Sequence, residues 1–143
     1  MTAVRLGFIP LNDCAPLAVA EAQGLFAAEG LEVSLQREAS WATVRDKLAM
    51  GALEGAHMLA PMALAASLGL GADPVPLIAP LSLNLNGGAI TVAPAVAEAL
   101  RRLGDGEDHT ARALARLVAE RRQAGAAPLT FAVVFPFSIH NYA

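Results

Sequence analysis

Apolar positions along the chain alternate between a period of two and a period of three to four, which predicts strands and helices in turn. Val4-Arg-Leu-Gly-Phe-Ile9 is a short apolar run closed by Pro10 and predicts a strand. From Ala15 to Ala28, Leu17, Ala20 and Leu25 recur at helical spacing, and Gly30 stands where a glycine ends a helix. Leu31-Glu-Val-Ser-Leu-Gln36 alternates apolar with polar, the pattern of a half-buried strand. Ser40 predicts the N-cap of a helix reaching about Met50, with Val44 and Leu48 on one face and Gly51 as its stop. A short strand is expected around Ala56-His-Met-Leu59, then a helix with Pro61 at its first position. Residues 76–83 predict a buried strand, 84–88 a turn and 89–92 a strand pairing beyond it. A helix over 96–103, a polar stretch at 104–109, a helix from a Thr110 cap to about Gln123 and a strongly apolar strand at 130–135 complete the pattern.

Such alternation predicts an α/β fold with mostly parallel strands. Ligands in such sheets gather at the carboxyl ends of strands, where the next helix begins. Asp13, Ser40-Trp41 and His57 all fall at such places. The strand expected at 131–135 would be buried on both faces, yet only Pro136-Phe-Ser-Ile-His-Asn-Tyr-Ala143 follows it, too little to cover it. The pattern therefore predicts a truncated chain.

Composition narrows the function classes. At 143 residues, 55% hydrophobic and 16% charged, the chain can form one ordinary domain and is not disordered. A net charge of −3 with no basic stripe argues against direct nucleic-acid binding, and Arg101-Arg102 and Arg121-Arg122 read as solvated helix ends. The single Cys14 excludes an internal disulfide. The N-terminus shows no signal-peptide pattern, and the apolar stretch at 58–70 is broken by Pro61 and Ser67 and too short to span a bilayer. A cytoplasmic location is expected, with the periplasm as the alternative if an upstream signal is missing.

Candidate chemistry concentrates between Glu38 and His57. Trp41, the sole tryptophan, follows a serine cap, so its indole would stand at a helix entrance beside backbone N–H groups that favour anions. A flat aromatic, a histidine and cations near such an entrance suit a small planar oxyanion. Each residue also has a plainer role: Trp41 as a core aromatic, His57 as a satisfied buried histidine, Cys14 as a small buried residue. Arg45 and Lys47 could simply pair with Asp46 or Glu38. His57, His109 and His140 lack metal-ligand spacing, Gly69-Leu-Gly71 and Asn86-Gly-Gly88 lack the marks of phosphate loops, and no catalytic constellation stands out. The expectation is a binding protein without metal or cofactor, not an enzyme.

Several motifs together resemble the nitrate/nitrite-binding family (NrtA/NasS type): Asp13-Cys-Ala-Pro16, Glu38-Ala-Ser-Trp-Ala-Thr-Val-Arg-Asp-Lys47, Ala56-His-Met-Leu-Ala-Pro-Met62, Leu83-Asn-Leu-Asn-Gly87 and Phe135-Pro-Phe-Ser-Ile-His-Asn-Tyr142. The resemblance covers nearly the whole chain. It implies a two-lobed, type II periplasmic-binding-protein clamp, with residues 1–92 as most of the first lobe and 93–143 as the entry into an incomplete second. Carried over by motif, Trp41 matches a cleft tryptophan and His140 a second-lobe histidine, Ser40 opens the helix entrance, and Lys47 and His57 are further cleft or supporting groups. Leu81-Ser-Leu83 falls where transporter-type members carry a glutamine, and the rest of the second lobe, with a cationic cleft residue, would follow Tyr142. The implied function is binding of nitrate or nitrite as a cytoplasmic sensor whose partner is an RNA-binding antiterminator. The alternative is the substrate-binding component of a nitrate/bicarbonate ABC transporter, whose partner is a permease. A more distant one is an enzyme of the thiamin-pyrimidine synthase type, which shares only the fold.

Overall fold

A computed structural model describes residues 2–85, 89–104 and 111–142 of the chain. Contacts divide it into two units, one formed by residues 1–88 with 134–143, the other by residues 89–133.

The first unit is built on a parallel sheet of β1 (Thr2–Phe8), β2 (Leu31–Arg37) and β3 (Gly55–Ala56), in the order β2-β1-β3. β1 pairs with β2 from Thr2↔Leu31 to Phe8↔Arg37, and with β3 only through Leu6↔Gly55 and Gly7↔Ala56. A parallel pair needs a crossover. Between β1 and β2 this is a 3₁₀ turn at Asn12–Cys14 followed by α1 (Ala15–Ala22) and α2 (Leu25–Ala28). The single helix expected over 15–28 is thus two, because Gly24 takes a left-handed φ of 68° between them. That conformation opposes a continuous helix and suits glycine.

α3 (Trp41–Ala49) crosses from β2 to β3, and α4 (Ala60–Leu68) follows β3 with Pro61 in its first turn. Ser40 is extended and its hydroxyl accepts a hydrogen bond from the Thr43 N–H at 3.1 Å, the cap expected of it. The core gathers on α3 and α4: Trp41, Val44 and Met62 are buried, with Ile9, Leu48, Met58, Leu59, Phe135 and Phe137 packed against them. Gly7 clears the middle of the sheet, since a Cβ there would lie 2.5 Å from the Leu53 side chain and 3.6 Å from Glu38 Cγ.

Arg5, on the central strand, anchors the approach to β3. Its backbone N–H and its Nε donate to Glu54 Oε2 at 2.7 and 3.0 Å, and its guanidinium also donates to the Gly51 carbonyl at 3.0 Å. Those hydrogen bonds from Arg5 hold the Glu54 carboxyl down to about 2 from an ordinary 4.5. A carboxyl depressed in the folded state contributes stability above its unfolded value, and this is lost as pH falls through the folded one. Glu54→Gln is therefore expected to flatten acid destabilisation between pH 4.5 and about 2, modestly because the pair is half exposed. Thermal melts across that range check it; parallel wild-type and variant curves would refute it.

The expected strand at 76–83 is not one. The Leu77 N–H donates to Ser67 Oγ at 3.2 Å and the Val75 N–H to the Ala66 carbonyl at 2.9 Å, so α4 takes backbone donors that a ladder would need. Ile78 and Leu81 are exposed rather than buried. Residues 89–92 and 130–135 are also irregular, and Ile90, Phe131, Val133 and Val134 stand exposed. Apolar, β-branched residues form a strand only beside a ladder partner, and among the described residues these have none. The strand whose lack of cover suggested truncation is thus not formed; Phe131, Val133 and Val134 are exposed while Phe135 packs against the core.

The second unit contains α5 (Pro94–Leu103) and α6 (Ala111–Gln123). Ala113 and Leu117, four apart on one face of α6, are buried, while Arg102 pairs with Glu120 at 2.6 Å and Arg116 donates to the Leu103 carbonyl at 2.8 Å. The polar stretch from 105 to 109, the Thr110 cap and the end of the 84–88 turn lie outside the described residues. Among the described residues no helix is long and apolar enough to cross a membrane.

Candidate functional site

The carboxyl ends of the three strands each deliver a different chemical group to one end of the sheet. The chain leaving β1 turns through Asn12–Cys14 and presents Asp13. Leaving β2 it places Glu38 and then the Ser40 cap with Trp41 opening α3, and His57 follows directly on β3. Backbone bonds fix these exits: the Glu38 N–H donates to the Phe8 carbonyl at 2.8 Å and the His57 N–H to the Gly7 carbonyl at 2.9 Å.

His57 is buried, and its Nε2 faces Asp13 Oδ2 at 3.0 Å. The imidazole stands edge-on to the Trp41 indole, with ring centroids 5.2 Å apart at 68°. Edge-to-face contact of this kind is favourable and directional. His57 Nδ1 and Asp13 Oδ1 are buried without a hydrogen-bond partner. Asp13, Trp41 and His57 thus form one contact chain drawn from three strand ends.

Lys47 is engaged elsewhere. Its ammonium meets Glu38 Oε1 at 2.7 Å, and the Glu38 side chain is only 3% exposed. Arg45 likewise pairs with Asp46 at 2.7 Å. These are the plainer pairings that the sequence allowed. Trp41 is 6% exposed and lies in the core cluster, and it is also the first residue of α3. His140 is exposed on α7 (Ile139–Tyr142); the same segment is fastened by Phe135 and Phe137, which pack against the Trp41 cluster, and by buried Ser138. Cys14 is buried, as a small core residue would be.

Two further residues stand at these strand ends. Asp13 stood at a strand end and in the Asp13-Cys-Ala-Pro16 motif, but its pairing with a histidine 44 positions away leaves no local pattern. Arg37, the last residue of β2, lines an open hollow of about 390 Å³ with Ile9, Pro10, Leu11, Glu38 and Ala39. Its position at a strand's carboxyl end was the available signal. Among the described residues no group of three or more His, Cys, Asp or Glu could hold a metal.

A parallel α/β sheet with its polar chemistry gathered at the strand ends fits a periplasmic-binding type of fold. The chain belongs to the NMT1-like family, which matches residues 1–143, and within it to the NrtA-type substrate-binding proteins. It is 49% identical over 90 residues to the nitrate import ATP-binding protein NrtC of Synechococcus elongatus, covering 62% of this chain and 14% of that protein. It is 36% identical over 141 residues to the bicarbonate transport ATP-binding protein CmpC of Synechococcus elongatus, covering 96% of this chain and 20% of that protein. It is 33% identical over 146 residues to the nitrate/nitrite binding protein NrtA of the same species, covering 96% and 31%. The chain therefore spans less than a third of the length of each of these relatives. No solved structure matches it significantly. These relatives are binding proteins and transporter components, and they move the functional expectation away from the cytoplasmic sensor with its antiterminator partner and toward transport.

Proposed function

We propose that this chain is the oxyanion-binding part of a nitrate- or bicarbonate-type ABC transport system, working with a permease and without a cofactor. The observation that carries this is the entrance of α3, where Trp41 stands edge-on to His57 at the carboxyl ends of a parallel sheet. The likeness to NrtA, NrtC and CmpC supports the class of ligand.

The chemistry follows from helix geometry. The first N–H groups of a helix have no acceptor inside it. Ser40 Oγ takes the Thr43 N–H, leaving those of Trp41 and Ala42 as the donors that a helix offers to an anion. Trp41 supplies a flat wall for a planar ion, His57 supports that wall and Ser40 sets the helix entrance. Lys47 acts through Glu38 rather than as a free cation, and His140 supplies a further donor from the segment that follows Phe137. In this proposal residues 1–92 make most of the first lobe of a clamp and the chain after them begins the second, with residues 134–143 returning to the first unit.

Calorimetric titration of the 143-residue chain with nitrate, nitrite and bicarbonate, against sulfate at matched ionic strength, tests the proposal. Saturable heat is expected for at least one of the planar ions and none for sulfate. No saturable binding of any planar ion would overturn it.

A further inference from the structure

The His57–Asp13 pair is not needed to hold the backbone, because the His57 N–H is already fixed on the Gly7 carbonyl at 2.9 Å. Nor is it a finished structural pair. Buried polar atoms in folded proteins are nearly all hydrogen-bonded, yet the far atom of each partner, His57 Nδ1 and Asp13 Oδ1, is buried without one. The pair touches the chain's single tryptophan, and Trp41 is the first residue of α3. A side chain locked there governs where the indole stands.

We propose that Asp13 is a positioning residue for the oxyanion site: by accepting the Nε2 hydrogen of His57 it fixes the imidazole edge against Trp41 and leaves Nδ1 as the ring's free polar atom. The proposal rests on the anion-binding reading above and adds to it a residue from a third strand end. Carboxylate partners of histidine commonly set ring orientation and decide which nitrogen carries the proton. Here the carboxylate oxygen and the ring nitrogen are 3.0 Å apart, close enough for the carboxylate to orient the ring. The central strand delivers Asp13 while its two neighbours deliver Trp41 and His57, so the sheet order itself places the orienting group between the two rings' strands.

Because Trp41 is the only tryptophan, its emission reads this site alone. Asp13→Asn, Asp13→Leu and His57→Gln are compared in the full chain for emission, acrylamide quenching, thermal midpoint and, by calorimetry, nitrate affinity. The expected result is an altered emission maximum and at least twofold greater quenching in all three variants without any anion present. Nitrate affinity is expected to fall about tenfold for Asp13→Leu and for His57→Gln, with the Asp13→Leu/His57→Gln double variant no worse than the weaker single one. Residues acting as one unit are non-additive in this way. Folded Asp13→Asn and Asp13→Leu proteins with wild-type emission and quenching would overturn the proposal, as would a double variant whose losses simply add. If the wild type binds no oxyanion while the variants still change emission, the anion reading fails and the positioning contact stands.

Discussion

Trp41→Ala is expected to cost the chain about 3–5 kcal/mol of stability, the range for removing a large buried aromatic. Trp41 is 6% exposed and packs with Val44 and Met62, so its loss leaves a cavity between α3 and α4. Domains of this size are stable by only about 5–15 kcal/mol, so the variant should unfold at markedly lower urea concentration. Trp41→Phe keeps much of the volume and should cost less than about 2 kcal/mol. The pair of variants separates packing from binding. If the indole is also a wall for a planar anion, folded Trp41→Phe protein should lose about tenfold in nitrate affinity while keeping most of its stability. Unchanged affinity in that variant would leave Trp41 as a core residue alone and remove the main residue-level support for oxyanion binding. A Trp41→Ala protein with a wild-type urea midpoint would contradict the packing described above.

Lys47→Met carries the next largest effect. It strands the Glu38 carboxylate, whose side chain is 3% exposed and whose recorded side-chain partner is the Lys47 ammonium at 2.7 Å. Removing one member of a buried pair typically costs about 3–5 kcal/mol, because the other charge remains uncompensated. The Lys47 side chain is 35% exposed and reaches solvent, which lowers the expectation to about 2–3 kcal/mol. Glu38→Gln should cost only about 1 kcal/mol, since the amide oxygen can still accept from Lys47. Combining it with Lys47→Met should recover part of the loss of Lys47→Met alone. Denaturant midpoints for the three variants check this. Were Lys47 a direct cation for the ligand, Lys47→Met would weaken anion binding with little change in midpoint, and the ion pair would have to be reconsidered.

Legibility in the sequence followed the reach of the determinants. β1, β2 and the Ser40-capped helix depend on residues within one turn or one pleat of each other, and their periodicity shows them. The two-residue β3 and the break at Gly24 are finer than periodicity can resolve, though Gly24 itself was visible. Residues 76–83, 89–92 and 130–135 misled because apolar, β-branched composition signals a strand without revealing whether a ladder waits beside it. For 76–83 the competing acceptors are Ser67 and Ala66, on a helix that is itself apolar. At the site, Trp41 and His57 stood out as rare residues at strand ends, and Lys47 with Glu38 was already a visible pairing. Asp13 on His57 was hidden, because only the sheet order β2-β1-β3 brings those two strand ends together.

That order also shapes how the chain assembles during synthesis. Of the three described strands, the first in the chain is the middle one, so β1 gains β3 as a neighbour only when Gly55–Ala56 has been made. The cluster around Trp41 waits longer still, for Phe135 and Phe137 arrive about eighty residues later. At roughly 5–20 residues per second, that interval is about 4–16 s. Through it the nascent chain shows an unfinished core, an apolar surface on which other chains can associate. A chaperone that covers apolar surface would shield the chain most in that window.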